Sequence, residues 1–298
     1  MSAKATRLRA RLKAPGIAVV PSCYDALGAK LIERAGFEVA FMSGYAVSAT
    51  QLGLPDAGLI SYAEMADQGR RICAATSIPI IGDGDTGFGN PVNVKRTVRG
   101  YQGAGFACVM IEDQVSPKRC GYANGVEVVG RADATMRLRA ALDARDEIRA
   151  TGGDVLIIGR TDSRVAEGLD EALWRAEAFA DLGADIVYFE GAQSEAEMEA
   201  LHKRISVPTM LAQVERADRK LIPPKQAEAI GYKLALFGLT LLNANIRAMR
   251  DALALMAAGD HPGPDRLVPF EELYDTVGFN AYYAEEGKYA VPVDEAAE

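Results

Sequence analysis

Residues 78–89 read Ile78-Pro79-Ile80-Ile81-Gly82-Asp83-Gly84-Asp85-Thr86-Gly87-Phe88-Gly89, a short apolar run that breaks at once into two carboxylates interleaved with glycines. A continuous apolar run of this length is the pattern of a strand covered on both faces, as in a parallel sheet. In extended chain alternate side chains share a face, so Asp83 and Asp85 can point the same way, and the glycines let the backbone approach a ligand closely. The plainer reading is a polar turn capping a helix that begins near Asn90-Pro91, because Asp/Gly-rich turns are common.

Working outward, the same kind of run recurs at Ile17–Pro21, Val39–Met42, Ile78–Gly82, Ala107–Ile111, Val155–Gly159, Ile186–Phe189, Thr209–Ala212 and Lys233–Phe237. Between the runs, apolar residues fall at three- and four-residue spacing, as at Ala26, Leu27, Leu31, Ile32 and Ala35, which describes one buried helix face. Several of these segments end in glycine (Gly36, Gly183, Gly231), the residue that suits the left-handed position after a helix. Eight strand-then-helix units predict a (β/α)8 TIM barrel, read as one domain over residues 1–298.

The strand ends carry the polar residues. Met42 is followed by Ser43-Gly44-Tyr45, Ile111 by Glu112-Asp113, Gly159 by Arg160-Thr161-Asp162 and Phe189 by Glu190. In a barrel these ends converge on one mouth, where such enzymes keep their active sites. Glu112 and Glu190 at equivalent ends weigh against the turn reading of Asp83 and Asp85. Carboxylates that meet without histidine repel unless neutralised, and a hard oxygen-seeking cation, Mg²⁺ or Mn²⁺, fits that need. Arg160 reads either as a fork for a substrate carboxylate or as a buried ion pair with one of those acids.

From Glu112 to about Arg131 the chain takes far more residues than a βα connection usually needs, the mark of a lid or binding loop. Within it lies Lys118-Arg119-Cys120-Gly121; two flanking cations suit a reactive thiol better than a core cysteine. The other three cysteines, Cys23, Cys73 and Cys108, sit in apolar contexts and read as core. From Pro264 on, Phe270, Leu273, Tyr274, Phe279, Tyr282, Tyr283 and Tyr289 have no ninth unit to cover, so residues 264–298 are expected to pack on a neighbouring subunit.

The 298 residues carry a net charge of −8, which argues against nucleic acid. No run approaches a membrane span, and the basic N-terminus has no apolar segment behind it, so a cytoplasmic protein is expected. Four scattered cysteines and two histidines suggest neither a zinc site nor a disulfide framework.

Taken together, Ser43-Gly44-Tyr45, Leu52-Gly53-Leu54-Pro55-Asp56, Asp83 to Gly89, Ile111-Glu112-Asp113-Gln114, Ser116-Pro117-Lys118-Arg119-Cys120-Gly121 and Gly159-Arg160-Thr161-Asp162 resemble the isocitrate lyase/phosphoenolpyruvate mutase superfamily, in order and spacing over about residues 15–250. The resemblance implies a barrel whose last helix is exchanged between subunits of a dimer or tetramer. It implies Mg²⁺ near Asp83, Asp85 and Glu112, largely through water, with Asp56 close by. Ser43, Gly44, Tyr45 and Asp83 would contact a 2-oxo acid, Arg160 a carboxylate, and Glu190 would act as acid or acceptor. The Lys-Arg-Cys-Gly lid is similar to that of the methylisocitrate and dimethylmalate lyases, with Cys120 and Gly121 against the substrate, and differs from the asparagine-containing lid of the phosphonate-forming mutases. Two departures stand out: Tyr122 where those lyases usually have histidine, and Gln213 where asparagine is common, both at expected substrate contacts.

The implied reaction is cleavage of a carbon–carbon bond in a small substituted malate, of the 2-methylisocitrate or dimethylmalate type, releasing pyruvate or glyoxylate. Arg160 stabilises the enediolate-like fragment, Cys120 protonates it and Tyr45 is the candidate base. The rival readings are an oxaloacetate hydrolase or decarboxylase, a phosphonopyruvate-type enzyme, and a silent barrel serving assembly.

Overall fold

The computed structural model describes residues 2–121, 125–215 and 221–290; the expectation for Tyr122 falls outside the described residues. Among these, eight parallel strands close into a barrel in chain order. They are β1 Ala18–Cys23, β2 Ala40–Met42, β3 Ile80–Asp83, β4 Cys108–Glu112, β5 Leu156–Thr161, β6 Ile186–Phe189, β7 Thr209–Gln213 and β8 Leu234–Phe237. Closure is made by β1 against β8, with Ala18 beside Leu234 and Pro21 beside Phe237.

Two apolar layers hold the barrel. The inner one joins Val20, Phe41, Ile81, Met110, Ile158, Tyr188, Met210 and Leu236 from successive strands. Ala5, Leu8 and Leu12 of the N-terminal helix Ala3–Lys13 belong to this same layer, so that helix closes one end of the barrel. Burying a leucine contributes roughly 1.5–3 kcal/mol, so Leu8 and Leu12 anchor it firmly. The outer layer packs strand residues such as Ile80, Val109, Ile157 and Val187 against helix residues such as Ile72, Val98, Leu138 and Phe179. Cys23, Cys73 and Cys108 are buried in these layers. Burial pushes the thiols of Cys23 and Cys73 up to about 12, so both are inert.

Local signals set the helix ends that matter for the site. Ser43 caps the helix Gly44–Leu52 by accepting the Ala46 N–H at 3.2 Å. Asn90 accepts the Val92 and Asn93 N–H groups at the start of the helix Pro91–Ala104, with proline at its first position. The helix after β4 begins only at Arg131, which leaves the long loop that the sequence predicts.

The chain divides into two compact units, residues 1–243 and 244–298. In the second, the helices Phe270–Val277 and Phe279–Glu286 carry an aromatic cluster in which Tyr274 stacks on Phe279 at 4.4 Å. Phe270, Tyr282 and Tyr283 are at least half exposed, as are Ile246, Met249, Leu253 and Met256 of the helix Thr240–Ala257. Among the described residues, no helix is long and apolar enough to cross a membrane.

Candidate active site

A cavity of about 70 Å³ opens at the C-terminal ends of the strands. Its polar lining is Ser43 after β2, Asp83 from β3, Arg160 from β5 and Glu190 after β6, with Asp56 and Lys118. Its apolar lining is Phe41, Met110, Tyr188, Ala212, Val214 and Leu236, most of them from the inner layer of the barrel. Cys120 and Gly121 of the long loop lie over it, and Tyr45, 37% exposed, stands at its edge.

The acids gather behind the polar lining. Asp83 Oδ2 accepts the Gly44 N–H at 3.1 Å, and a Cβ on Gly44 would stand 2.8 Å from that oxygen, so only glycine allows the approach. Asp85 follows with φ 47, a left-handed conformation that non-glycine residues adopt rarely and that clusters at functional sites. Burial pushes its carboxyl up to about 6, reinforced by Asp83 and Asp56 and opposed by Lys118. Glu112 is 2% exposed; burial drives its carboxyl well above the usual range, against the pull of Arg160.

Lys118 has a destination that the sequence reading missed. Rather than acting on Cys120, its ammonium donates to Asp56 Oδ2 at 2.6 Å and lies 2.9 Å from Asp85 Oδ1. Burial alone would lower its pKa, but Asp85, Asp56 and Glu112 raise it well above the lysine range, so it stays charged. The loop is therefore docked onto the acid cluster by a buried ion pair.

Arg160 makes the buried ion pair that the sequence allowed. Its Nε and Nη2 clasp Asp162 at 2.8 Å each, Nη1 meets Glu112 Oε2 at 3.1 Å, and the guanidinium lies 5.3 Å from the Tyr188 ring centre. It still lines the cavity. Gly121 fits against this clasp; a Cβ there would be 2.8 Å from Asp162 Oδ1 and 2.9 Å from Arg160 Nη2.

The structure thus brings Ser43, Tyr45, Asp56, Asp83, Cys120, Gly121, Arg160 and Glu190 to one cavity, with Gly44, Asp85 and Glu112 directly behind. Gln213 is placed differently. Its amide accepts the Ile222 N–H at 3.2 Å and donates to the Ile222 carbonyl, and it does not line the cavity. The residues that sequence reasoning missed are Lys118, Asp162 and Tyr188. For Asp162 the signal was present, since it closes the Gly159-Arg160-Thr161-Asp162 strand end.

Does this arrangement suit a divalent cation? Among the described residues, no three acids, cysteines or histidines converge closely enough to hold an ion by themselves. Glu112 Oε1 is nevertheless buried without a hydrogen bond, and Asp85 Oδ1 and Glu112 Oε2 meet Lys118 and Arg160 as ion pairs. Among the described residues, the acids Asp56, Asp83, Asp85, Glu112 and Asp162 outnumber the cations ion-paired with them, Lys118 and Arg160. Mg²⁺ keeps several waters and uses one or two carboxylates, so the residues fit such an ion held largely through water.

Comparison with known proteins follows the same lines. The sequence pattern of the phosphoenolpyruvate phosphomutase family matches residues 8–257. The 2,3-dimethylmalate lyase of Eubacterium barkeri is 37% identical over 288 residues, 96% of this chain and 98% of that one. Oxaloacetate acetylhydrolase, solved with 3,3-difluorooxalacetate, superposes with a TM-score of 0.90 at 31% identity, covering 97% of this chain and 98% of that one. Phosphonopyruvate hydrolase, solved with oxalate and Mg²⁺, does so with a TM-score of 0.81 at 28% identity, covering 96% and 99%.

Proposed function

The chain belongs to the phosphoenolpyruvate phosphomutase family, whose members are carbon–carbon lyases and mutases, and from that premise we propose that it is a Mg²⁺-dependent lyase cleaving a substituted malate into a 2-oxo acid and a smaller carboxylate. The observation that carries this reading is the cavity itself. A thiol on a docked loop, a guanidinium and several acids line it together with apolar side chains that can take an alkyl substituent.

Asp83, Asp85 and Glu112 would hold the ion, which when bound supplies Lewis-acid polarisation of the substrate's oxygens. The chain's own residues do the rest. Ser43 and the Gly44 backbone border the 2-oxygen end, and Arg160 fixes a carboxylate. A base at the cavity, Tyr45 in this reading, takes the proton of the C2 hydroxyl. The C2–C3 pair then moves into the far carboxylate as an enediolate while C2 becomes a carbonyl. Arg160 stabilises the negative charge that develops, and the Cys120 S–H delivers its proton to C3. The apolar lining and the docked loop exclude water from the carbanion-like fragment.

Oxaloacetate hydrolysis is the second reading, favoured by the fold-wide likeness to oxaloacetate acetylhydrolase. Incubation with 2,3-dimethylmalate, 2-methylisocitrate and oxaloacetate in the presence of Mg²⁺, followed by identification of the acids released, separates the two. Oxalate and acetate from oxaloacetate, with no alkylmalate cleaved, would overturn the lyase. The exposed apolar faces of the C-terminal helices fit a second copy of this chain, and the assembly is proposed to be a dimer or tetramer in the cytoplasm.

A further inference from the structure

The direction of the Arg160 guanidinium depends on Asp162, which binds two of its three nitrogens. Asp162 lies just past β5, ahead of the four-residue helix Ser163–Ala166. Its position is set from β4's end by Asp113. The Asp162 N–H donates to Asp113 Oδ1 at 2.9 Å, and the Thr161 hydroxyl donates to Asp113 Oδ2 at 2.6 Å. The two oxygens of one carboxylate therefore hold the residues on either side of the Thr161–Asp162 peptide.

Asp113 is held in turn by Arg175, whose Nη1 donates to Asp113 Oδ2 at 3.1 Å. Arg175 is 1% exposed and is itself oriented by Glu171 at 2.7 Å and Glu167 at 3.1 Å. It also donates to the Val129 carbonyl at 2.8 Å, where the long loop ends. Neither Asp113 nor Arg175 lines the cavity. Asp113 reaches the cavity-lining Arg160 through Asp162, and Arg175 stands one contact further back.

We propose that Asp113 and Arg175 form a positioning unit for Arg160, fixing through Thr161 and Asp162 the angle at which its guanidinium meets a substrate carboxylate. The inference rests on the reading of Arg160 as the carboxylate-binding group.

Oxalate affinity, measured by calorimetry on the Mg²⁺-supplemented full-length protein, tests it through a double-mutant cycle. Asp113→Asn keeps the size of the side chain but cannot accept from both sides. It is expected to weaken oxalate about 10-fold, the low end of the range for groups directly behind a ligand, because Asp113 acts through Asp162. In an Arg160→Met background the same change is expected to have no further effect. An undiminished effect in that background would mean that Asp113 acts on the fold and not through Arg160, and would overturn the proposal, as would wild-type affinity in Asp113→Asn alone.

Thr161→Val and Thr161→Ser keep the test decisive if Asp113→Asn fails to fold. Loss of affinity in the valine variant with recovery in the serine variant supports the hydroxyl link, and equal behaviour of the two refutes it. Unchanged oxalate affinity in Arg160→Met alone would instead sink the reading of the site. That failure is distinguishable because Asp113 is untouched in that variant.

Discussion

Replacing Lys118 by methionine separates the energetics of the loop from those of the barrel. The ammonium sits between Asp56 and Asp85, with the three side chains only 4–6% exposed. Removing one partner of a buried ion pair costs about 3–5 kcal/mol if the stranded charges stay dry. The loop offers a cheaper response, because its described stem is held by the Val115 N–H to the Glu127 carbonyl, the Val129 N–H to the Asp113 carbonyl and the Arg119 N–H to Gln114 Oε1, each 2.9 Å. Hydrogen bonds of this kind contribute about 1 kcal/mol each, so undocking and hydrating the acids costs about 3 kcal/mol. Lys118→Met is therefore expected to open the loop while the barrel stays folded. With 1.4 kcal/mol to each factor of ten, loss of the ion pair raises the open population by at least about 100-fold. Hydrogen exchange at the Val115 and Arg119 amides, read by mass spectrometry of that peptide in metal-free protein, reports it directly. Unchanged exchange in the loop, or a rise spread evenly over the barrel strands, would refute the reasoning.

Four further outcomes follow from the site. Chelation with EDTA should abolish turnover and Mg²⁺ should restore it; full activity without metal would remove the role given to Asp83, Asp85 and Glu112. Gly44→Ala places a Cβ 2.8 Å from Asp83 Oδ2, and the Mg²⁺ concentration for half-maximal activity should rise about 10- to 100-fold, a rise that titration of activity with Mg²⁺ detects. Cys120→Ser should lower kcat by about 10²- to 10⁴-fold, the usual weight of a general acid, with little change in oxalate affinity; near wild-type turnover would favour the oxaloacetate reading, which does not need the thiol. Light scattering at micromolar concentration should show an oligomer, and a monomer would contradict the role assigned to the exposed C-terminal aromatics.

How much of this was legible in the sequence follows from what each residue depends on. The strands were readable because a parallel strand is apolar on both faces, so Ile186–Phe189 agrees in full and β1 departs by only one or two residues at each end. Asp83, Glu112, Arg160 and Glu190 were readable for a related reason, since a charge that ends an apolar strand has few bland explanations. Asp56 sits in no strand and entered only through the family resemblance. Lys118 shows why a loop is harder: its position beside Cys120 suggested an effect on the thiol, but a lysine stem reaches far enough that the docked loop decides where the charge goes.

Arg175 marks the deeper limit. In sequence it stands four residues after Glu171 on the helix Leu169–Leu182, the spacing of an ordinary solvent-facing pair. An exposed pair of that kind contributes about 0.3–0.5 kcal/mol and would attract no attention. What makes it different is that Asp113, one residue past β4, and Val129, at the end of the long loop, close over it and leave it 1% exposed. A buried arginine must have every donor direction answered or it costs stability. Three carboxylates and a carbonyl supply that answer: Glu167 and Glu171 are local to its own helix, but Asp113 and Val129 reach it only because the barrel closes. Periodicity reports which face of a helix is apolar, but it carries no information about which polar side chain the fold will seal in, and in this chain that sealed side chain braces Asp113, which in turn fixes the Asp162 that holds Arg160.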